Sequence, residues 1–577
     1  MTMYTPPIED MQFLLFDVFD VERDWQRAGL DIDRMMVTGL LDECGKLATN
    51  VMAPLSQSSD KEGAHWDQGT VTAPTGFSGA FAEIQSGGWI GMCGNPDFGG
   101  QGMPRVLGTC VDEMFWAANS NLWLYGSLTS GATYCIDAHA TEELKETYLP
   151  SMYEGRWTGA MALTEPHAGT DLGLLRTKAK KQLDGSYKLN GTKIFITSGE
   201  HDLADNIIHL VLARVEGAPA GTRGISLFLV PKFLPDDDSS LTIRNGFRSA
   251  SIEHKMGIRG SATSVINYED AVGYLVGSEN SGLRHMFTMM NFARLSVGVQ
   301  GLGLSAKAYQ LASTYTKERV QGRAPSGPKQ PDDSADAIIE HPDVRRMLLT
   351  QRAFVEGGRA LSVLVSSYLD KSIFATDESE QQQNFRLVEL LTPLAKAFMS
   401  DRGLEVASLA QQCFGGAGYI QETGIEQVVR DVRITQIYEG TNGIQALDFI
   451  GRKVLMDGAQ TLRDFIQELL SFDMSDPFKE KVSCALSDLV ELTDWLLEHA
   501  ATNPDLSGSV SVEFLDYCGY ITYAALWARM AATDDSRFQK SLIANFYFDK
   551  ILPRTGSLRQ SIMAGSESVM KPESDWF

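Results

Sequence analysis

Little in this chain points to a metal centre, a disulfide framework or a membrane. Its seven cysteines stand at 44, 93, 110, 135, 413, 484 and 518, with no two at C-x-x-C spacing. None of its nine histidines forms an H-x-x-x-H pair. Both absences argue against a zinc site and a disulfide scaffold, and a reducing compartment is expected. No apolar run approaches the roughly 18 residues of a membrane span. The N-terminal segment carries Glu9, Asp10, Asp17 and Asp20, which is not the composition of a signal or transit peptide. Positive charge is also short: 50 Lys and Arg face 74 Asp and Glu, a net charge of −24. That balance argues against nucleic acid as a partner and against an anionic membrane surface. The expectation is a cytoplasmic protein with no metal, no nucleic acid and no membrane partner.

What is present falls into four stretches. Residues 1–157 read mostly as helix: Leu40, Leu41, Cys44, Leu47 and Ala48 keep helical spacing, as do Met114, Phe115, Ala118 and Leu122. A glycine-rich loop, Gly87 to Gly102, interrupts them. Residues 158–280 read as a compact antiparallel β domain. Asp184-Gly185 and Asn190-Gly191 are hairpin signals, and Ile207 to Val215 and Ile225 to Val230 are apolar strands. Residues 281–455 are helical again, with one long helix from Leu283 to Glu318 in which Gly298, Gly301 and Gly303 permit close contacts. Ala324 to Glu340 is an exposed loop, and a helix restarts at Pro342. Residues 456–577 form a helical extension with a net charge of −9.

Four separated segments carry chemistry. Met161-Ala-Leu-Thr-Glu-Pro-His-Ala-Gly-Thr170-Asp171 runs from a strand into a turn that exposes N–H groups and hydroxyls to a ligand, or is an ordinary β-turn. Lys193-Ile-Phe195-Ile-Thr197 places an aromatic ring and a hydroxyl on one strand face, fit to cover a planar ring or simply half-buried. Gln412-Cys-Phe-Gly415-Gly416-Ala-Gly418-Tyr419 is a glycine turn after a helix, either a C-cap or a close approach to a ligand. Ile437-Tyr438-Glu439-Gly440-Thr441-Asn442 sets Glu439 on a turn before a helix that Thr441 or Asn442 can cap. A lone Glu there could be a plain dipole partner.

Read together, these segments resemble the acyl-CoA dehydrogenase family, over about residues 40 to 455 and in order. The matching motifs are Leu-Thr-Glu-Pro-x-x-Gly-Thr-Asp, Lys-x-Phe-Ile-Thr, Gln-x-x-Gly-Gly-x-Gly-Tyr and Tyr-Glu-Gly-Thr-Asn, with the Gly257-Ile-Arg-Gly-Ser261 turn in addition. The resemblance implies an α+β fold: an N-terminal helical domain, a central β-barrel and a C-terminal four-helix bundle. The extension adds a further helical domain, read equally as an oligomer cap or as a simple addition. FAD is the implied cofactor, held between barrel and bundle next to a neighbouring subunit of a homodimer or homotetramer.

The family pattern assigns residues one by one. Met161 heads the flavin loop, with Leu163 and Thr164 at the polar edge of the ring. Phe195 stands where the family usually has Trp, and Thr197 where a hydroxyl meets flavin N5. Thr170 matches a Ser near the coenzyme A phosphates. Asn291 to Arg294 match the substrate-contacting start of a bundle helix, and Gly440 lies beside the substrate. Arg319 and Gln321 match an Arg-x-Gln-Phe-Gly motif that reaches FAD from the other subunit; Gly322 and Arg323 replace its Phe-Gly. Gln412, Gly415 and Gly416 match the loop holding the FAD adenosine or pyrophosphate across the dimer, and Thr441 a pyrophosphate contact. Glu439 is the implied base, taking the α-proton of an acyl-CoA thioester while a hydride leaves for flavin N5. Burial would bring its pKa into a useful range.

The implied activity is α,β-dehydrogenation of an acyl-CoA, with electrons passed to an electron-transfer flavoprotein. The N-terminal Tyr4-Thr-Pro-Pro-Ile-Glu-Asp-Met-Gln-Phe-Leu-Leu, the Arg319-Val-Gln-Gly-Arg323 motif and the extension resemble a bacterial subgroup that includes the 3-methylmercaptopropionyl-CoA dehydrogenases of dimethylsulfoniopropionate breakdown and medium- and long-chain fatty acyl-CoA dehydrogenases. The expected substrate is accordingly 3-methylthiopropanoyl-CoA, with Met161, Met286, Met289 and Met290 as adaptable thioether contacts. The alternative is a medium- or long-chain fatty acyl-CoA. An oxidase differs only in oxygen access to the reduced flavin. A DNA-binding use of this fold would need a basic surface, which the acidic extension does not offer.

Overall fold

The computed structural model describes residues 4–235, 240–534 and 536–577. Its main sheet has seven strands: β1 (Trp157–Ala162), β2 (Lys178–Lys181), β3 (Tyr187–Thr197), β4 (Asn206–Val215), β5 (Ile225–Pro231), β6 (Phe247–Ile252) and β7 (Thr263–Val276). The order is β6-β7-β3-β2-β4-β1, and β5 pairs with both β7 and β4. The circuit β7-β3-β2-β4-β5 therefore closes on itself, the barrel that the resemblance implied.

The apolar run of β4 follows from burial of both its faces. Ile207, Val211 and Ala213 enter one core with Phe228, Val230 and Ile266. Their alternates Ile208, Leu210 and Leu212 enter a second core with Trp157, Leu227 and Leu229. Met286 and Met289 are wholly buried in that second core, while Met161 and Met290 pack partly exposed against it. Two of the four methionines expected at the site are thus core filling, as methionine at helical spacing generally is.

Two expectations for this region need correcting. The sheet is mixed rather than antiparallel: β1 runs parallel to β4, with Trp157 opposite Asn206, and β2 also runs parallel to β4. The chain leaves β1 through a long loop and the β2–β3 hairpin before β4 returns beside β1. Of the two hairpin signals, Asp184-Gly185 does make the β2–β3 turn, with Gly185 at φ 88°. Asn190-Gly191 lies inside β3 instead. There the Asn190 carboxamide is committed across the sheet, donating to Asp270 Oδ1 (2.8 Å) and accepting from the Asp270 N–H (3.0 Å). Gly191 is needed for space, since a Cβ would sit 2.4 Å from Thr177 Oγ1 and 2.9 Å from Thr177 Cα.

The helices of interest are α1 (Arg105–His139), α2 (Glu142–Tyr153), α3 (Gly282–Glu318), α4 (Pro342–Phe374) and α5 (Glu378–Phe414), then α6 (Asn442–Leu447), which widens into a π-helical stretch, Asp448–Leu455. Pro342 opens α4 in its first turn, as expected. The extension contributes α7 (Gln460–Ser471), α8 (Asp476–Ala500), α9 (Leu506–Thr533), α10 (Lys540–Phe546) and α11 (Arg554–Met563). By contacts the chain divides into two units: Met1–Gly45, Arg105–Ala117 and Arg294–Phe577 form the first, Lys46–Pro104 and Ala118–Ala293 the second.

Within the first unit, glycines set the helix spacing. A Cβ on Gly301 of α3 would meet Ser400 Cα of α5 at 3.0 Å, and one on Gly403 of α5 would meet the Gly301 carbonyl at 2.9 Å. The extension belongs to the same core. Trp527 of α9 donates to the Ala353 carbonyl of α4 (3.2 Å), and Tyr523 covers Gly357, leaving 2.6 Å for any Cβ there. Lys540 is fully buried against Glu356 (2.7 Å) and Asp10. Asp10 in turn pairs with Arg359 (2.5 Å), which also grips Glu113. No helix among the described residues is long and apolar enough to cross a membrane.

Candidate active site

In the first unit the site is built on the turn between the Ile434–Gln436 helical turn and α6. Glu439 there has φ 58° and Gly440 φ 84°, so two successive residues are left-handed. A side-chain-bearing residue in that region is uncommon and marks a functional constraint more often than chance. Gln445 Nε2 donates to the carbonyls of Glu439 (3.1 Å) and Gly440 (3.2 Å). Lys396 of α5 donates to the Gly440 carbonyl (2.9 Å) and to Asn442 Oδ1 (2.7 Å). Tyr438 OH donates to Gln300 Oε1 on α3.

Burial pushes the Glu439 carboxyl up to about 7, although the nearby Arg294 and Lys396 charges pull it down. A carboxylate poised there is half-ionised near neutral pH, where a general base works best. Arg294 is buried on α3, 3.4 Å from Asp448, which also holds Arg452 at 2.7 Å. The expected capping of α6 is not what forms. Thr441 occupies the cap position without a side-chain cap bond, and its hydroxyl reaches back to the Gln436 carbonyl (3.3 Å). The Asn442 carboxamide is drawn instead to the half-buried Asp401 (2.7 Å) and the buried Ser400 (2.9 Å), whose polar atoms need partners.

Elsewhere in this unit, Tyr315 near the end of α3 stacks on Phe414 at the end of α5, ring centroids 4.2 Å apart. That stack joins the segment carrying Arg319 and Gln321 to the turn carrying Gln412, Gly415 and Gly416, all of them exposed. The Ala324–Glu340 loop is organised around a buried carboxylate, Asp336. It accepts from the N–H groups of Ala324 (2.8 Å), Lys329 (2.8 Å) and Gln330 (2.9 Å) and from Arg323 (3.2 Å).

In the second unit the expected flavin-facing residues come together at one corner of the barrel. The Ile194 N–H donates to the Thr164 carbonyl (2.9 Å), and Lys193 Nζ to the Leu163 carbonyl (2.8 Å). Met161, Leu163, Thr164 and Thr197 are partly buried, Thr170 is exposed, and Phe195 is 60% exposed at φ 60°. The strict strand alternation assumed for Phe195 and Thr197 does not hold. The β3–β7 register slips between the pairs Ser264–Ile196 and Ile266–Lys193, a bulge that leaves Phe195 in the left-handed region. Asn291 and Arg294 lie inside α3 rather than at its start, Asn291 within the second unit and Arg294 within the first.

These residues fit an FAD. A large exposed aromatic beside partly exposed threonine hydroxyls suits a planar ring with a polar edge. Gly415, at φ 59°, and Gly416 have no atom within 4 Å of a built Cβ, so their backbone is open to a phosphate. Among the described residues no group of three His, Cys, Asp or Glu is arranged to hold a metal ion.

Two contributors escaped the sequence reading. One is Lys396, a lone charge inside the apolar Leu394-Ala-Lys-Ala-Phe398, an anomaly that could have flagged it. The other is the Lys193–Glu165 pair, present in the motifs without an assigned task.

Comparisons with known proteins agree in outline. Family models described as "Acyl-CoA dehydrogenase, N-terminal domain", "middle domain" and "C-terminal domain" match residues 39–156, 160–271 and 280–455. One described as "Acetyl-CoA dehydrogenase C-terminal like" matches 459–573. A 3-methylmercaptopropionyl-CoA dehydrogenase of Ruegeria pomeroyi is 40% identical over 94% of each chain. A butyryl-CoA dehydrogenase of Syntrophomonas wolfei is 35% identical over 93% of each. A solved acyl-CoA dehydrogenase complexed with FAD from Bacillus anthracis is similar in fold, with a TM-score of 0.75 at 21% identity, over 92% of this chain and 89% of that one.

Proposed function

The chain belongs to the acyl-CoA dehydrogenase family, FAD-dependent oxidoreductases acting on acyl-CoA thioesters, and from that premise we propose its substrate and the division of labour among its residues. The substrate is 3-methylthiopropanoyl-CoA, oxidised to 3-methylthioacryloyl-CoA. The observation that carries this is the 40% identity, over nearly the whole chain, to the Ruegeria enzyme of that name. A short straight-chain acyl-CoA is the second reading, favoured by the 35% identity to the butyryl-CoA enzyme.

Glu439 takes the proton from the carbon α to the thioester carbonyl. Its left-handed turn and its carboxyl near 7 support this task. The Glu439 N–H is the donor we assign to the thioester oxygen, where negative charge develops. Arg294 and Gly440 line the acyl end, and Asn291 and Thr170 contact the coenzyme A portion. FAD, when bound, supplies the acceptor for the hydride that leaves the β-carbon. Phe195 covers the flavin ring, Met161, Leu163, Thr164 and Thr197 line its polar edge, and Thr441 contacts its pyrophosphate. Arg319, Gln321, Gln412, Gly415 and Gly416 are assigned to the FAD of a second subunit in a homodimer, supported by their exposure at joined helix ends. Electrons pass on to an electron-transfer flavoprotein. A cytoplasmic site is consistent with seven free thiols.

The test is kcat/KM across the methylthiopropanoyl, butyryl, octanoyl and palmitoyl thioesters. A maximum at methylthiopropanoyl is expected. A maximum at butyryl, octanoyl or palmitoyl would overturn the thioether assignment and leave the reaction type standing.

A further inference from the structure

The left-handed turn at Glu439 needs an explanation. A non-glycine residue in that region costs on the order of 1 kcal/mol or more and persists only where its surroundings hold it. One of the groups holding this turn is itself costly. The Lys396 side chain is fully buried in α5, and taking an ammonium out of water costs several kcal/mol. The two partners the hydrogen bonds give it are a backbone carbonyl and a carboxamide oxygen, at 2.9 and 2.7 Å. Neither is a carboxylate, so its charge is not spent on a close ion pair.

The carbonyl is that of Gly440, directly after Glu439. The carboxamide, Asn442, is fixed from behind by Ser400 and Asp401, and Asp401 also receives Gln436 at 2.5 Å. The lysine therefore grips the turn from both sides, at residues 440 and 442. A second clamp, Gln445, holds the Glu439 and Gly440 carbonyls without carrying charge.

We propose that Lys396 is a positioning residue for Glu439, fixing the Glu439–Gly440 turn in its left-handed form and placing a positive charge beside the base. The inference rests on Glu439 being the base. The charged and titratable groups around the pair are Arg294 from α3, Asp401 from α5, Asp448 and Arg452 from the stretch after α6, and Tyr438 on the turn itself. Arg294 pairs with Asp448 at 3.4 Å, and Lys396 is bonded to the turn itself. Burial and the Arg294 charge lower the Lys396 ammonium toward about 7, while Glu439 and Asp401 support it.

Two variants separate the roles. Lys396→Met removes charge and donor together. Lys396→Gln removes the charge and keeps an N–H donor for the Gly440 carbonyl. Turnover per bound flavin is measured across pH with an artificial electron acceptor, alongside flavin content and the thermal midpoint. In both variants the acid limb of kcat/KM is expected to move up by about one pH unit, the scale of a lost neighbouring charge. In Lys396→Met, kcat should fall about tenfold or more with KM little changed; in Lys396→Gln it should fall less. If both keep the limb within about 0.2 units of the wild type and lose only thermal stability or flavin, Lys396 is structural and the proposal is overturned. If Lys396→Met does not fold, the limb of Lys396→Gln decides alone. Glu439→Gln is run beside them: if it retains turnover, the base assignment fails, whereas a dead Glu439→Gln with an unmoved limb in the Lys396 variants overturns this inference only.

Discussion

The ammonium of Lys193 lies 2.9 Å from Oε1 of Glu165, and the two side chains are 0% and 3% exposed. Their remaining polar atoms are also committed. Lys193 donates to the Leu163 carbonyl, and Glu165 accepts from the Thr177 hydroxyl (2.6 Å), the Thr177 N–H (3.0 Å) and the Arg176 N–H (2.7 Å). Burial would raise the Glu165 pKa, but Lys193 and these donors outweigh it and hold it below the usual range. One ion pair thus ties the loop carrying Leu163 and Thr164 to the strand carrying Phe195 and Thr197.

Breaking that pair from one side should be severe. Lys193→Met leaves a buried carboxylate without its cation, and such losses cost about 3–5 kcal/mol. Urea unfolding of the apoprotein should register that drop, and flavin content should fall with it. Adding Glu165→Gln should recover part of the loss, because both charges are then gone. Equal stabilities for wild type and Lys193→Met would mean that the pair holds nothing.

The base has a pH signature. With the Glu439 carboxyl near 7, the ionised form grows as pH rises through that value. kcat/KM should therefore climb with pH up to about 7 and level off above. Glu439→Gln keeps the shape of the side chain but cannot accept the proton. Turnover should drop by about 10²- to 10⁴-fold or more while FAD stays bound. A Gln variant with near wild-type turnover would move the base elsewhere.

How far the sequence reached can be traced residue by residue. The four motifs single out Glu439, Phe195 and the glycine turn because each is a local string whose chemistry does not depend on distant contacts. The helix end at Glu318 and the restart at Pro342 were legible, the second from its proline. What stayed hidden depends on pairing across the chain. Asn190-Gly191 has the letters of a turn, yet Asp270, far along the chain, holds Asn190 in a strand. The parallel pairing of β1 with β4 leaves no local mark. Lys396 acts 44 residues from its carbonyl partner, and only its oddity in an apolar helix hinted at it. The insertion of Lys540 between Asp10 and Glu356 is likewise invisible in a list of charges.

That last contact gives the extension a measurable stake in the first unit. Lys540 is the cation that two buried carboxylates share. Lys540→Met should destabilise by about 1–3 kcal/mol, the cost of leaving buried acceptors short of a donor, since Asp10 keeps Arg359 and Glu356 keeps Arg352. Changing an exposed charge of the same extension, as in Lys571→Met, should stay within about 0.5 kcal/mol. Urea midpoints of the two variants make the comparison. A Lys540→Met variant as stable as Lys571→Met would mean that the extension is not anchored through this lysine.

Acid should act on the barrel through two buried histidines. His209 donates from Nε2 to the Gly199 carbonyl (2.8 Å), so its Nδ1 accepts from Tyr268 OH (2.8 Å). His201 Nδ1 accepts from the Leu203 N–H (3.1 Å), which leaves Nε2 to donate to Thr158 Oγ1 (2.9 Å). Both rings are neutral in these networks, and a second proton on His201 would point at an N–H donor. Burial, joined by the Lys232 charge near both rings, lowers each to about 3. In the unfolded chain a histidine titrates near 6.5. The folded pKa lies below the unfolded one, so the stability these residues contribute is full above about pH 6.5 and is lost as pH falls toward 3. Each histidine should add about 1.4 kcal/mol per pH unit to the acid slope between those limits. His201→Gln and His209→Gln should lower stability at pH 7.5 through lost packing and hydrogen bonds. Each should also flatten the slope between pH 6 and 4.5 by about that amount, read from urea unfolding at several pH values. Slopes unchanged from wild type would mean that these rings take up protons in the folded state as easily as in the unfolded one, and that acid sensitivity arises from the carboxylates instead.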